Sequence, residues 1–506
     1  MECRMPCNFA VHAAFSLVLS LGLANTGVCQ GLNNLWMGGY YSEGGLPYGG
    51  TNLEFDSIPV AIYYVNREMS FGRTVADITR SSGSLVAATN GYYIVDASGD
   101  TMPNGSGLNP SSYTTQFPEG LHLPQADLFL PKPDDPAIYL LFHGTYDHPP
   151  WGTAQYLYLT IIDMTLNNGL GGVVSKNQVL IDDLLNIGKI TAVRHANGRD
   201  WWVFCHKVDS NTFYRLLLTP EGVSAPETQS VGTVRPNDLG QVCFSPDGSK
   251  FAYYWGDGSD LDIFDFDRCT GLFSNPVHIP IDDANSMGGV AFSPSSQFLY
   301  VSSVLDVYQY DVTVPDVEAS MVHIAHWDST YSPSPPFATL FDIAQLAPDG
   351  KIYIGTGNGT DKLHVINHPD QPGLACGMVQ HGITLPTYYV NSLPNHPNYF
   401  LGPVDGSVCD SLGINTLTPS PSPGERGVVV SPNPSAGAFM LGYPAQPVAG
   451  QLEVWDLQGR VVLRERIPQW STMHQVDLAG QAAGMYQCNL RWGMETISTR
   501  VILAAP

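Results

Sequence analysis

The chain has 506 residues, more than one hydrophobic core usually spans, so two or more folded units are expected. Charged residues make up only 13% and aromatics 11%, and 51 Gly with 39 Pro favour short strands and tight turns over long helices, so the class reads as all-β. The net charge of −24 lies almost wholly in residues 30–425, with 15 basic against 40 acidic groups; such a surface repels phosphate backbones, which argues against nucleic acid and for a cation or a neutral ligand.

Residues 10–24 (AVHAAFSLVLSLGLA) are apolar but too few and too early for a good membrane span, and the small residues Gly27 and Cys29 precede Gln30. Residues 1–29 therefore read as a cleaved secretory signal. Its basic region is weak, since Glu2 offsets Arg4, which leaves Met5 as an alternative start. The other reading, lipidation of Cys29, has the poor box Thr26-Gly27-Val28 against it. Nothing later is long and apolar enough to cross a membrane.

Six cysteines remain after the signal: Cys205, Cys243, Cys269, Cys376, Cys409 and Cys488. An exported chain permits disulfides. Cys376 and Cys409, which flank the end of the large domain, are the preferred pair. Cys205 and Cys243 sit within apolar strands and read as buried thiols. There is no C-x-x-C spacing, and so no zinc site of that kind.

Between residues 30 and 405 a unit recurs. Residues 240–271, 288–314 and 344–373 each run through an apolar strand, a Pro-centred turn, a second apolar strand, a polar hairpin and a third alternating strand. In the turns Ser245-Pro246-Asp247-Gly248 and Pro348-Asp349-Gly350, Pro pre-sets φ and Gly accepts a positive one. Weaker copies stand at 81–99, 131–148 and 195–222. Taking Gly83, Pro136, Gly198, Gly248, Ser296 and Gly350 as equivalent turn positions gives spacings of 53, 62, 50, 48 and 54 residues. A period near 50 with three or four strands per unit is that of a β-propeller blade, which buries its faces only against neighbouring blades. Six turns, with the strands left over in 30–70 and 374–402, predict seven blades, and pairing of the two ends would close the ring.

The order of Thr89-Asn90-Gly91, Val173 to Asn177, Ser245 to Gly248, Tyr308 to Asp311 and Ala347 to Tyr353 resembles WD-like and YVTN-like propellers of exported Bacteroidetes-type proteins. The resemblance covers roughly residues 70–400 and implies architecture far more than activity.

Candidate chemistry is sparse. There is no G-x-S-x-G elbow, no H-E-x-x-H and no phosphate loop ending in Lys-Ser or Lys-Thr. A propeller site gathers residues scattered in sequence, so these absences leave an enzyme open. Asp257, Asp260 and Asp262 are calcium candidates, weighed against a Gly-Asp hairpin leading into a strand. Gly355 to Asp361 reads as a hairpin turn. His143, His148, His195, His206, His323 and His326 come nearest to metal pairs, without a carboxylate at a recognised spacing. The doublets Tyr63-Tyr64, Tyr92-Tyr93, Trp201-Trp202 and Tyr388-Tyr389 offer sugar-stacking rings, with one ring of each expected between blades.

Residues 406–425 form a Pro/Ser-rich linker, whose Thr416 to Gly427 (TLTPSPSPGERG) disfavours helix and sheet alike. Residues 426–506 then show about seven short strands, enough for a small β-sandwich. Pro432, Asn433, Pro434, Gly437, Phe439, Asp456, Gly459, Arg460, Asp477, Leu478, Gly484 and Tyr486 resemble the type A C-terminal sorting domain of the type IX secretion system. The resemblance implies that the secretion machinery is a partner and that the protein is released or held on the outer surface. Cys488 and the ending Ala504-Ala505-Pro506 depart from that pattern, and an accessory carbohydrate-binding sandwich is the other reading.

The fold expected is thus an all-β propeller followed by a C-terminal β-sandwich. The leading functional reading is a non-enzymatic exported protein that binds an extracellular ligand or partner. Its rivals are a propeller enzyme, lactonase-like or glycan-active, with its site at the central channel, and a structural or adhesion protein of the surface. A channel mouth of Gly, Ser and apolar groups would count against the enzyme.

Overall fold

The computed structural model describes residues 31–504 except 58, 81, 118, 148–151, 284–286, 333–335, 390–392, 405, 411–427, 432, 434, 436, 444–445, 447, 457–459 and 494. The signal segment and Thr416 to Gly427 lie outside the described residues, as do His148, Pro432, Pro434 and Gly459.

Seven antiparallel sheets follow one another between Leu35 and Tyr389. Blade 1 has three strands, Leu35–Gly39, Gly50–Glu54 and Ala61–Val65. Blades 2 to 7 each carry at least four, beginning with Ala76–Thr79, Asp127–Pro131, Thr191–Arg194, Gln241–Phe244, Gly289–Phe292 and Ala344–Leu346. These first strands are the innermost and line the central channel.

Side chains on a strand alternate between its two faces, and in a propeller both faces are buried. The strand Lys250–Trp255 shows the result: Phe251 and Tyr253 pack against blade 4, while Ala252 and Tyr254 pack against blade 6. The same alternation sends Trp201 into the core shared with blade 3 and Trp202 into the core shared with blade 5, so both rings of that doublet are buried. Tyr388 and Tyr389 are likewise both buried, whereas Tyr63 and Tyr64 are both exposed on the outer strand of blade 1. Each fully buried ring contributes roughly 1.5–3 kcal/mol.

Apolar clusters occupy every interface around the ring, and the last joins Trp36, Leu53 and Phe55 of blade 1 to Tyr353, Leu363 and Leu385 of blade 7. Trp36 meets Tyr353 edge-on at 5.7 Å, and the hydroxyls of Thr51 and Thr387 lie 2.6 Å apart. Closure is therefore by packing. Among the described residues the expected pairing of the two ends in a common sheet does not occur, because residues 374–389 complete blade 7 through the strand Met378–Tyr389, and 393–402 leave the sheets altogether.

The turns after the innermost strands share one construction. Gly83, Gly198, Gly248, Ser296 and Gly350 all have positive φ, and each N–H donates to the carbonyl three residues earlier. In blade 3 the left-handed residue is Asp134, and Pro136 lies beyond the turn; a carboxamide or carboxylate side chain tolerates that backbone region better than most. Ser245 tightens its turn by donating to Asp247 Oδ1 at 2.6 Å and accepting from the Lys250 N–H at 2.9 Å. Pro348, Asp349 and Gly350 form the blade 7 counterpart, with Lys351 N–H donating to Asp349 Oδ1 at 3.1 Å.

The C-terminal unit stacks a three-stranded sheet on a four-stranded one. Phe439, Leu441, Leu452, Val454, Val476, Leu490 and Val501 fill the space between them, together with the free thiol of Cys488.

Candidate functional site: a channel entered by its own chain

The free edge of an innermost strand carries backbone N–H and C=O groups that need partners once water is excluded. Three side-chain amides supply them. Gln125 Nε2 donates to the Val242 carbonyl while its Oε1 accepts from the Val242 N–H, both at 2.9 Å. Gln241 Nε2 donates to the Ala344 carbonyl at 2.7 Å, and its Oε1 accepts from the N–H groups of Ala344 and Val290 at 3.0 Å. The third amide, Asn395, comes from the segment that follows blade 7.

That segment runs lengthwise down the channel. At the end where the innermost strands begin, Asn395 Nδ2 donates to the carbonyls of Ile190 (2.8 Å) and Asp127 (3.1 Å), and its Oδ1 accepts from Gln125. His396 Nε2 donates to the Asp77 carbonyl at 2.8 Å. Further down, the Tyr399 hydroxyl donates to the Phe129 carbonyl at 2.8 Å, and Asn398 Nδ2 donates to the Pro246 carbonyl at 2.7 Å. The chain then leaves over blades 4 and 5, where Arg268 donates to the Gly402 carbonyl and the Val404 N–H donates to the Ala196 carbonyl. Leu401 lies in the core between blades 4 and 5, against the bare Cα of Gly248, where a side chain would strike it.

The exit is fixed by a disulfide between Cys269 and Cys409, whose Cα atoms are 5.6 Å apart. This corrects the expected Cys376–Cys409 pair. Cys376 is a free thiol buried between blades 6 and 7, far from the path that carries Cys409 through the channel to blade 5. Cys205 and Cys243 are also free.

The channel lining is low in dielectric, and several buried titratable groups in and around it are held neutral. Burial pushes Asp127 up to about 8, although a hydrogen bond from Thr89 opposes the shift. Burial also raises Asp77 well above the carboxylate range, against the Met37 backbone and the Arg67 guanidinium. Burial lowers His396 to about 4. His143, between Asn109 and Thr160 at 2.7 and 2.8 Å, and His206, beside Asn186, are each held down to about 3 by burial. These imidazoles act as neutral hydrogen-bond partners within the core.

At the channel end where the strands begin, the helix Ser112–Gln116 brings Tyr113 against Leu121, Tyr146 and Ile187 to make an apolar cover. Beneath it Lys189 Nζ meets Asp238 Oδ1 at 2.6 Å with both side chains buried, and Asp238 Oδ2 accepts from the N–H groups of Gly240 and Gly256. Every polar atom of that pair is therefore spent on structure. Beside the segment that follows blade 7 a recess of about 150 Å³ runs along the channel, lined by Val242, Phe244, Val290, Ala344 and His396, and Trp470 of the C-terminal unit closes it at the turn end. Gln469 Nε2 donates to the Ser295 carbonyl at 3.0 Å beside this contact.

The calcium candidates do not enclose a common point. Arg235 pairs with Asp260 at 3.2 Å and with the buried Asp262 at 2.7 Å, and His278 takes the other Asp262 oxygen at 2.9 Å. Asp257 stands apart on the short 3-10 turn Gly256–Gly258. A guanidinium already bridges the two strand carboxylates.

The sorting-motif residues that are described hold the sandwich together. Asn433 clamps the first strand to the last, donating to the Arg500 carbonyl at 3.0 Å and accepting from the Ile502 N–H at 2.9 Å. Gly437 has φ +136°, and its carbonyl accepts from the N–H of buried Leu478. Phe439 is at the centre of the core. Asp456 accepts from Arg460 N–H at 2.9 Å and from its Nε at 2.7 Å, Asp477 caps Ala479, and the Tyr486 hydroxyl donates to the Ala482 carbonyl. Gly484 has φ +154°.

Residues 429–504 match the family described as the secretion system C-terminal sorting domain. This unit is thus a type IX sorting domain. None of the curated proteins matches the chain. Solved structures similar to it include a protein from Lactobacillus plantarum (13% identity, covering 71% of this chain and 98% of that one, TM-score 0.43). Another is a putative 6-phosphogluconolactonase from Bacteroides fragilis (12%, 70% and 95%, TM-score 0.42). A third is the periplasmic gluconolactonase of Pseudomonas aeruginosa (14%, 72% and 98%, TM-score 0.40).

Proposed function

We propose that the protein is carried out of the cell by its sorting domain, and that its propeller then binds a neutral extracellular ligand through its outer surface. The observation that carries this reading is the channel partly occupied by the protein's own chain. Residues 393–404 run down the channel, and the side chains of Asn395, His396, Asn398 and Tyr399 each bond to an innermost strand or to the turn that follows one. The recess left between them and the innermost strands of blades 4 to 7 is lined largely by apolar groups, with few that could act as acid, base or nucleophile.

The acidic surface disfavours anions, and blade 1 offers aromatic faces in their place. Tyr48 lies edge-on to Tyr40 at 5.6 Å and to Tyr388 at 5.8 Å, and Tyr41, Tyr48, Tyr63 and Tyr64 are each 40–47% exposed. Tyrosines so placed stack on the apolar faces of sugar rings. The signal-free protein is to be screened against neutral glycans, charged glycans and peptides, and assayed for lactone hydrolysis. Binding of neutral glycans that falls on Tyr48→Ala and Tyr64→Ala supports the reading. Lactone turnover well above the uncatalysed rate would overturn it in favour of a channel enzyme.

A further inference from the structure

We propose that Asp306, His323 and His326 form a binding site for a divalent transition metal of the zinc class on the outer part of blade 6. Among the described residues these three bring their ligand atoms within 4.8 Å of one another. Asp306 Oδ1 lies 2.7 Å from His323 Nε2 and 2.8 Å from His326 Nδ1.

The convergence depends on a bulge. Residues three apart on a regular strand point to opposite faces, so His323 and His326 would be separated. The pairing of Asp306–Asp311 with Val322–His326 shifts register by one residue at Ile324, since Val307 stands opposite Ala325 and Tyr308 opposite His323. Ile324 turns into the core between blades 6 and 7, and both imidazoles come to the Asp306 side. They remain half or more exposed, which leaves coordination positions for water or a further ligand.

The backbone behind the site is fixed. Gln380 of blade 7 donates to the His326 carbonyl at 2.8 Å and accepts from the Asp328 N–H, and the Trp327 N–H donates to the Leu305 carbonyl at 2.7 Å. The ring of Tyr308 flanks His323 at 5.5 Å.

Two imidazole nitrogens and one carboxylate oxygen suit zinc, copper(II) or nickel(II), with zinc–ligand bonds of about 2.0–2.2 Å. In a tetrahedral site of that size neighbouring ligand atoms stand about 3.3 Å apart. Small side-chain rotations that spread the present cluster by about half an ångström make the room. Each neutral imidazole would bind the metal through the nitrogen now facing Asp306 and carry its ring proton on the other nitrogen, which in both rings is the far one.

The test uses the full signal-free chain, stripped with a chelator and titrated with zinc chloride by calorimetry, with cobalt(II) chloride as a visible-absorption probe. One equivalent is expected to bind saturably, with affinity about tenfold or more weaker in Asp306→Asn and in the His323→Ala/His326→Ala double variant. The neighbouring His381→Ala, which removes the Asp328 pair, should leave it unchanged. Cobalt d–d bands should appear in the parent and vanish in the double variant. Absence of saturable uptake by the parent, or uptake undiminished in variants whose melting curves match the parent, would show that the three side chains make only surface hydrogen bonds.

Discussion

Asn395 donates its side-chain N–H to the carbonyl of Ile190 at 2.8 Å, and so ties the chain that follows the seventh blade to the start of the innermost strand of the fourth. The same amide reaches Asp127 and Gln125, so one buried side chain joins the plug to several blades.

Asn395→Ala removes the donor to two buried carbonyls and the acceptor for Gln125. Leaving buried groups unpaired costs on the order of 1–3 kcal/mol each, so a loss of about 3 kcal/mol is expected. Chemical denaturation should show the midpoint move with little change in slope, and an unchanged midpoint would show that the plug is not integral to the ring.

The Cys269–Cys409 bridge spans 140 residues of sequence. Bridges that close long loops stabilise by about 2–4 kcal/mol. Cys409→Ser should lower the unfolding midpoint by a corresponding amount and make 393–410 the first protease-sensitive stretch of the propeller. Peptide mapping without reductant should recover the peptides of Cys269 and Cys409 as a disulfide-linked pair and find Cys376 alkylated only after denaturation.

Asp127 is neutral in the fold up to about pH 8 and ionises near pH 4 in the unfolded chain. The folded state therefore binds the extra proton between these values, and this group's contribution is complete below pH 4 and lost as pH rises toward 8. The buried histidines work in the opposite direction. His143, His206, His364 and His396 are neutral in the fold down to about pH 3–4, so their contribution is complete above pH 6.5 and lost as pH falls below it. The two windows overlap between about pH 4 and 6.5, where four histidines outweigh one carboxyl, so melting temperature should peak near pH 6.5, and Asp127→Asn should flatten the alkaline side, where the parent loses about 1.4 kcal/mol per pH unit. A parent and variant with identical profiles from pH 5 to 9 would contradict this.

Deleting residues 426–506 is expected to leave a folded propeller in the periplasm, as read by fractionation and immunoblot. Asn433→Ala, which releases the first strand of the sandwich from the last, should cost the isolated domain roughly 1 kcal/mol and reduce export without affecting the propeller. Undiminished export of the deletion would refute the sorting role.

By itself the sequence determined the features that depend on neighbours along the chain. The turns around Gly83, Gly198, Gly248 and Gly350 need only a residue that accepts positive φ at a fixed place, and their near-50 spacing was enough to infer blades. The sandwich was legible for the same reason, because its hairpins join adjacent strands and residues such as Phe439 and Leu478 keep a regular order. Tertiary structure alone decided what the channel holds, which cysteine meets Cys409, that Asp260 and Asp262 answer to Arg235, and that Asp306 joins two histidines across a bulge. The first three bring together groups whose distance is set by the packing of blades and plug rather than by local spacing, the last depends on a register shift within one strand pair, and a buried hydrogen bond such as Asn395 to Ile190 leaves no pattern in sequence because any stretch of chain that reaches the axis could make it.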